Sequence, residues 1–286
     1  MSSKPSFSLG RAVPAAFAFL PAGVGGAFAP LLALWLLTSF GHFAFVHLVW
    51  RGGVLIGGSA HLAIGVGFIL LLVVFKLMAQ GALYRIGIFG KDGRKEGLGS
   101  AGLQFGAPEL RLLGAGILIC LFFLVVVTAV FIVFAVAFNS SGLAGEERNT
   151  LKAVGAVFCR HQGADWVFIL YIIAAWIFLF FLTVRFALAH AATVAQRKIV
   201  ALNALGLSSG NVFKLFCGLF LFIVPLMLVF AVIVHHVMPS LPRSGAIPPR
   251  LVVHALLQAF GIFVIGPLLA GFLSSAYRQI IDLKAR

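Results

Sequence analysis

Seven of the eight histidines, His42, His47, His61, His161, His235, His236 and His254, sit near one set of ends of the apolar runs or in the connections between them. Only His190 falls at the opposite set. Imidazole is amphipathic and titrates near neutrality, so such a set suits either an interfacial role or ligation of copper, zinc or haem. Cys159-Arg160-His161 adds a thiolate beside one of them. No pair has the four-residue helical spacing with a neighbouring acid that would orient the rings. An interfacial role is therefore the first expectation. Metal or haem binding by His47, His61, His161, His235, His236 and His254 is the alternative, and no cofactor is expected.

A second set of reactive groups is cationic. Arg85, Arg185 and Arg278 each close an apolar run, and Lys76 lies about two helical turns before Arg85. If the runs pack side by side, these four side chains would ring a pocket for anionic lipid headgroups, with guanidinium forking onto phosphate. The competing expectation is that each snorkels independently to the nearest headgroup.

Signals for catalysis are few. Gly206-Leu207-Ser208-Ser209-Gly210 matches the G-x-S-x-G of a hydrolase nucleophile elbow, but that elbow needs a strand-to-helix turn with an acid and a base beside it. No H-E-x-x-H, C-x-x-C or glycine-rich phosphate loop occurs, and Cys120, Cys159 and Cys217 stand far apart. The acids Asp92, Glu96, Glu109, Glu146, Glu147, Asp165 and Asp282 all lie outside the apolar runs, so the buried carboxylates typical of ion-coupled transport are missing from the pattern. The expectation is a non-enzymatic protein.

The elements that must position these groups are set by composition. Of 286 residues 62% are apolar and 10% charged, and the mean hydropathy is +1.13. A soluble domain carries about 25% charged residues. Only a bilayer accepts so much apolar surface on the outside as well as the inside. Runs of about 20 apolar residues bounded by Lys, Arg, Trp or Tyr predict an all-α polytopic membrane protein. Its six spans lie at about 30–50, 59–83, 112–138, 166–184, 215–234 and 251–277, with kinks at Pro225 and Pro267. Residues 1–29 form the N-terminal segment, with an interfacial helix over 7–20, and residues 30–286 form the transmembrane domain. Ala27-Phe28-Ala29 resembles a signal-peptide cleavage site, but Pro14, Pro21 and Pro30 argue that the segment is kept.

The net charge of +14 would suit a polyanionic partner in a soluble chain. Here 15 of the 21 basic residues fall in the two termini and the even connections, which the positive-inside rule assigns to the cytoplasm. The charge thus becomes an orientation signal, and nucleic acid is not an expected partner. The location expected is the bacterial cytoplasmic (inner) membrane, with both termini cytoplasmic.

The chain also repeats itself. Leu83-Tyr84-Arg85, Thr183-Val184-Arg185 and Ala276-Tyr277-Arg278 end three runs, while Phe7-Ser8-Leu9-Gly10, Leu103-Gln104-Phe105-Gly106 and Leu202-Asn203-Ala204-Leu205-Gly206 open three amphipathic stretches. The unit implied is a cytoplasmic-face elbow followed by a helical hairpin, present three times.

Phe7-Ser8-Leu9-Gly10, Leu103-Gln104-Phe105-Gly106 with Glu109-Leu110-Arg111-Leu112-Leu113-Gly114, Arg185-Phe186-Ala187-Leu188-Ala189 followed by Ala192-Thr193-Val194-Ala195, and Gly210-Asn211-Val212-Phe213-Lys214-Leu215-Phe216 resemble one group of proteins. It comprises uncharacterised, especially alphaproteobacterial, multi-pass proteins similar to the membrane domain of glycerophosphoryl diester phosphodiesterases and to YciC-type inner-membrane proteins. The chain has no room for the phosphodiesterase barrel, so the resemblance implies an inner-membrane protein without that activity. The function expected is a scaffold or lipid-interacting role in envelope homeostasis, or an accessory subunit of a membrane complex. Its partners would be anionic lipids at the cytoplasmic face and a membrane protein or second copy. The alternative is a transporter or lipid-translocation component.

Overall fold

The structure is a computed structural model that describes residues 7–45, 59–94, 97–140, 165–237 and 249–284. Every regular element among the described residues is helical. The helices are α1 (Leu9–Gly26), α2 (Phe28–Phe45), α3 (Ser59–Phe89), α4 (Ala107–Ser140) and α5 (Asp165–Phe186). The short α6 (Ala189–Gln196) and α7 (Ala204–Ser208) lead into α8 (Val212–Val232), which runs on as a π-turn over Ile233–Val237. Then α9 (Pro249–Phe260) passes through a second π-turn at Gly261–Ile265 into α10 (Gly266–Lys284). Among the described residues five stretches are long and apolar enough to cross a membrane, or six if α1 and α2, which meet at 82°, count as one broken span.

Of the expected kinks, that at Pro267 has a local explanation. Pro267 cannot donate to the carbonyl four residues back, and the wider π-turn immediately before it accommodates the missing bond. The helix of α1 runs to Gly26, through both Pro14 and Pro21. Each proline forfeits a backbone bond, but α1 is pressed along its length against α10 and α3, burying Ala12, Ala16 and Gly23. Packing holds what local propensity would break.

The core lies at one end of the molecule, called basal here. α1 crosses that end from side to side. Its start meets α8 and α10, where Phe7 packs edge-on against Phe272 and the Ser8 N–H donates to Gln279 Oε1 at 2.9 Å. Its middle sets Phe19 against Gly87 and Gly271, and its finish brings Gly26 to Ile86 and Gly102. Glycine is required at 102, where φ is +80° and a methyl group would stand 2.7 Å from the Gly26 carbonyl oxygen. Small residues let backbones approach this closely.

Toward the other, distal end the helices lose contact with one another. On α4, Leu112 and Ala115 are fully covered, whereas Val125 is 69% exposed and Phe131 65%. The change is repeated on α3, α5 and α8, whose distal residues Ile64, Trp176 and Leu228 are all open. In the distal half Gly41 of α2 closes on Phe68 of α3, and side-chain hydrogen bonds form two further seams. Tyr171 Oη of α5 donates to the Val130 carbonyl of α4 at 2.6 Å. Between α2 and α9, Trp35 Nε1 donates to the Ala255 carbonyl at 2.8 Å, and Ser39 Oγ reaches Gln258 Oε1 at 3.0 Å.

Candidate functional site

Glu109 is the acid that organises the basal end. It occupies the third position of α4, and its Oε2 accepts the N–H of Gly106, the residue before the helix, at 2.9 Å. This is the returning half of a capping box, with Pro108 filling a first-turn position where no N–H is needed. The other carboxylate oxygen accepts from Arg85 Nη2, and both side chains are buried. Arg85 Nη1 adds bonds to the Gly97 carbonyl at 3.2 Å and to Gln104 Oε1 at 3.5 Å. The pair is therefore hydrogen-bonded on both sides, the condition under which a buried charge is tolerated. Gly81 leaves room for it, since a methyl there would stand 2.5 Å from Glu109 Oε1.

This geometry bears on the four cations. Arg85 is neutralised inside the protein. Arg185 is half-buried on α5, donates from Nη2 to the Leu205 carbonyl at 2.7 Å and lies over the Phe181 ring at 5.7 Å. Lys76 and Arg278 are exposed, on α3 and α10. The ends and starts of the three sequence units nevertheless meet in cyclic order. Arg85 reaches Gln104 and Glu109, Arg185 reaches Leu205, and Gln279, beside Arg278, reaches Ser8. A further tie closes the ring, as Lys214 Nζ donates to the Phe7 carbonyl at 2.9 Å and Asn211 Oδ1 accepts the Phe7 N–H at 3.2 Å.

The short helix α6 sits amid this lattice, touching α3, α4 and α10. His190 stacks on Tyr84 with ring centroids 6.4 Å apart, and Gln196 Nε2 donates to Tyr277 Oη at 3.1 Å. α6 ends at Arg197 in the left-handed conformation, φ 51°. Its Thr193 hydroxyl accepts the Val200 N–H at 3.1 Å and lies within donating reach of the Ala189 and Val200 carbonyls. That pin fixes the 197–203 segment against α4, with Ile199 seated over Gly114. Between the two runs an open groove of about 460 Å³, lined by Leu118, Leu121, Phe122, Val125, Ile199, Ala201, Leu202 and Asn203. Sequence reading missed it, because nothing in the local pattern of 197–203 says that it lies beside a helix eighty residues earlier.

Ser208 of the G-x-S-x-G match is buried in the last turn of α7 and donates to the Leu205 carbonyl at 3.2 Å. No strand precedes it among the described residues, so the elbow that would expose its hydroxyl is absent there.

The distal histidines divide three ways. His254 stacks on His42 with centroids 3.8 Å apart and shares a 3.1 Å contact with Gln258 through Nε2. His235 and His236 meet edge to face at 4.7 Å on an exposed π-turn. His47 and His161 lie outside the described residues, as does the side chain of His61. Among the described residues no three His, Cys, Asp or Glu side chains converge as a metal site would require.

No protein-family model, curated protein or solved structure matches the chain.

Proposed function

We propose that this protein is a non-enzymatic, lipid-interacting scaffold of the bacterial cytoplasmic membrane, with six spans, the basal end and both termini cytoplasmic, and α1 lying in the interface as an elbow. The observation that carries the reading is the contrast along each helix. The basal half is locked by hydrogen bonds and small-residue contacts, while among the described residues the distal half presents largely exposed apolar side chains such as Leu124, Val125, Phe131 and Trp176. In a bilayer such a surface is covered by acyl chains at no hydrophobic cost. The asymmetry of basic residues supports the orientation. Lys76 and Arg278 are exposed and suited to headgroup contact.

Native mass spectrometry after gentle extraction tests the role. Retained phospholipid without a stoichiometric second protein is expected. A stoichiometric membrane-protein partner with no retained lipid would overturn the scaffold in favour of an accessory subunit. Reporter fusions after Glu147 and after Arg197 test the orientation, with export of the first and retention of the second expected.

A second reading, a lipid-translocation component, rests on the polar seam of Ser39, His42, His254 and Gln258 between α2 and α9. Headgroups crossing a membrane need such a track. Bleaching of labelled lipid in reconstituted vesicles decides this reading, and flipping that His254→Leu abolishes would favour it over the scaffold.

A further inference from the structure

His42 of α2 and His254 of α9 lie face to face, with centroids 3.8 Å apart and ring planes 21° from parallel. Both are half-buried. From this pair we propose that the α2–α9 seam is a proton-operated latch, closed while the two imidazoles hold at most one proton and opened when both are charged. Two imidazolium rings so arranged set like charges against each other, and α2, α3 and α9 contain no acid to offset them. A single proton is accommodated by the neighbours. Ser39 Oγ donates to Gln258 Oε1 at 3.0 Å, and Gln258 Nε2 donates to His254 Nε2 at 3.1 Å, so that ring nitrogen is bare and the ring neutral. When His254 gains a proton, the Gln258 amide turns over. Its Oε1 then accepts from the ring, and its Nε2 donates to the Ser39 hydroxyl, which accepts as readily as it donates.

What the latch holds is a lever. No described side chain of α9 is buried, and α9 packs chiefly on α2. Its basal end runs into the π-turn Gly261–Ile265, beyond which Leu268, Ala270 and Phe272 anchor α10 in the core. A π-turn is a frequent site of helix bending. The Trp35 bond to the Ala255 carbonyl does not titrate, and it draws the seam shut again when the protons leave. Other charges stand apart from the pair. Of the elements packed on α2 and α9, the π-turn and residues 100–102 carry no titratable group, and α1 carries Arg11 near its basal start. On α3 the described groups are Lys76, Tyr84 and Arg85, and the nearest, Lys76, lies about two turns basal of Phe68, which meets Gly41. The side chains of His61 and Arg250 lie outside the described residues. The latch needs no lipid to cross the seam and goes beyond the lipid-interacting reading.

Pulsed dipolar distances test it in the full chain, with its three cysteines replaced by alanine, reconstituted in phosphatidylcholine vesicles. Nitroxides are placed at Ile64 of α3, which Phe68 and Gly41 tie to α2, and at Val252 of α9, both exposed. A single short distance is expected at about pH 8, and at about pH 5 a longer one holding most of the label pairs, reversible on return. His42→Phe keeps a ring stacked on His254 but leaves one site for a proton, so the short distance should persist at both pH values. A control pair at Ile64 and Val133 of α4, also exposed, should not change. An Ile64–Val252 distance that is the same at both pH values overturns the latch, as does a change that survives His42→Phe. Lengthening of the control pair along with the first overturns it too, because the movement would then be a general loosening in acid. None of these results touches the lipid reading, which is judged on retained phospholipid.

Discussion

Leu112 and Val125 stand less than four turns apart on one helix, yet the first is fully covered and the second is 69% exposed. The same passage from covered to open occurs on α3 between Leu83 and Ile64, and on α5 between Val184 and Trp176. Leu112 and Val125 are both strongly apolar, as are Leu83 and Ile64, so hydropathy does not separate covered from open. What differs is whether small side chains and polar partners let helices close on one another. In lipid no hydrophobic force draws helices together, so association depends on close approach and hydrogen bonding. The basal half has both, in Gly81, Gly87, Gly102, Gly218 and Gly271 and in the bonds of Arg85, Glu109, Lys214 and Thr193. The distal half has the α2–α9 and α4–α5 seams and one close approach, Gly41 of α2 against Phe68 of α3.

The largest expected break is in the basal lock. Glu109→Ala leaves the buried Arg85 guanidinium without its counter-charge, a loss of about 3–5 kcal/mol. Thermal scans of monodispersity in detergent should show the protein collapsing well below the parent. Replacing both partners, Arg85→Met with Glu109→Leu, should recover most of that loss, and if it does not, the pair is more than a structural tie.

Next in size is a matched pair of glycines. A methyl group at Gly218 would stand 2.0 Å from Cζ of Phe272, which is itself fully buried, whereas one at Gly67 meets nothing within 4 Å. Gly218→Ala should cost about 1–3 kcal/mol through overpacking, and Gly67→Ala should stay within about 0.5 kcal/mol. Equal effects in the same thermal assay would erase the distinction between the two halves.

The smallest is Tyr171→Phe, which deletes the hydroxyl bond to Val130 and should cost about 0.6 kcal/mol, the average for hydrogen bonds inside a membrane. A cost above that of Gly218→Ala would mean that the distal half is held more firmly than its exposure implies.

The apolar helices were legible in the sequence because the bilayer demands long uncharged runs, and α5 coincides with its expected run to within two residues at each end. Where charge intervened, the helices run past the expected spans for a physical reason. Span two was expected to close at residue 83, but α3 continues to Phe89 because Arg85 is neutralised by a residue on another helix. Span three was expected to begin at 112, but α4 begins at Ala107, with Glu109 capping its own start. The local cue, Gly106-Ala107-Pro108-Glu109, was present in the sequence. That Glu109 would answer Arg85 was not, since no spacing rule joins residues from different helices. The groove was illegible for the same reason, being made where Ile199 meets Gly114.

The central claim, that the distal half of the bundle is open to lipid, is tested most directly by nitroxide scanning along α4 in reconstituted vesicles. Oxygen accessibility should be low at Leu112 and Ala115 and high from Ile117 to Val136. A shallow dip is expected only along Ile119, Phe122, Phe123, Val126, Val130 and Phe134, the side turned toward α5. A deep minimum repeating every three to four residues on another face would contradict the account, because protein rather than lipid would then cover that side of α4.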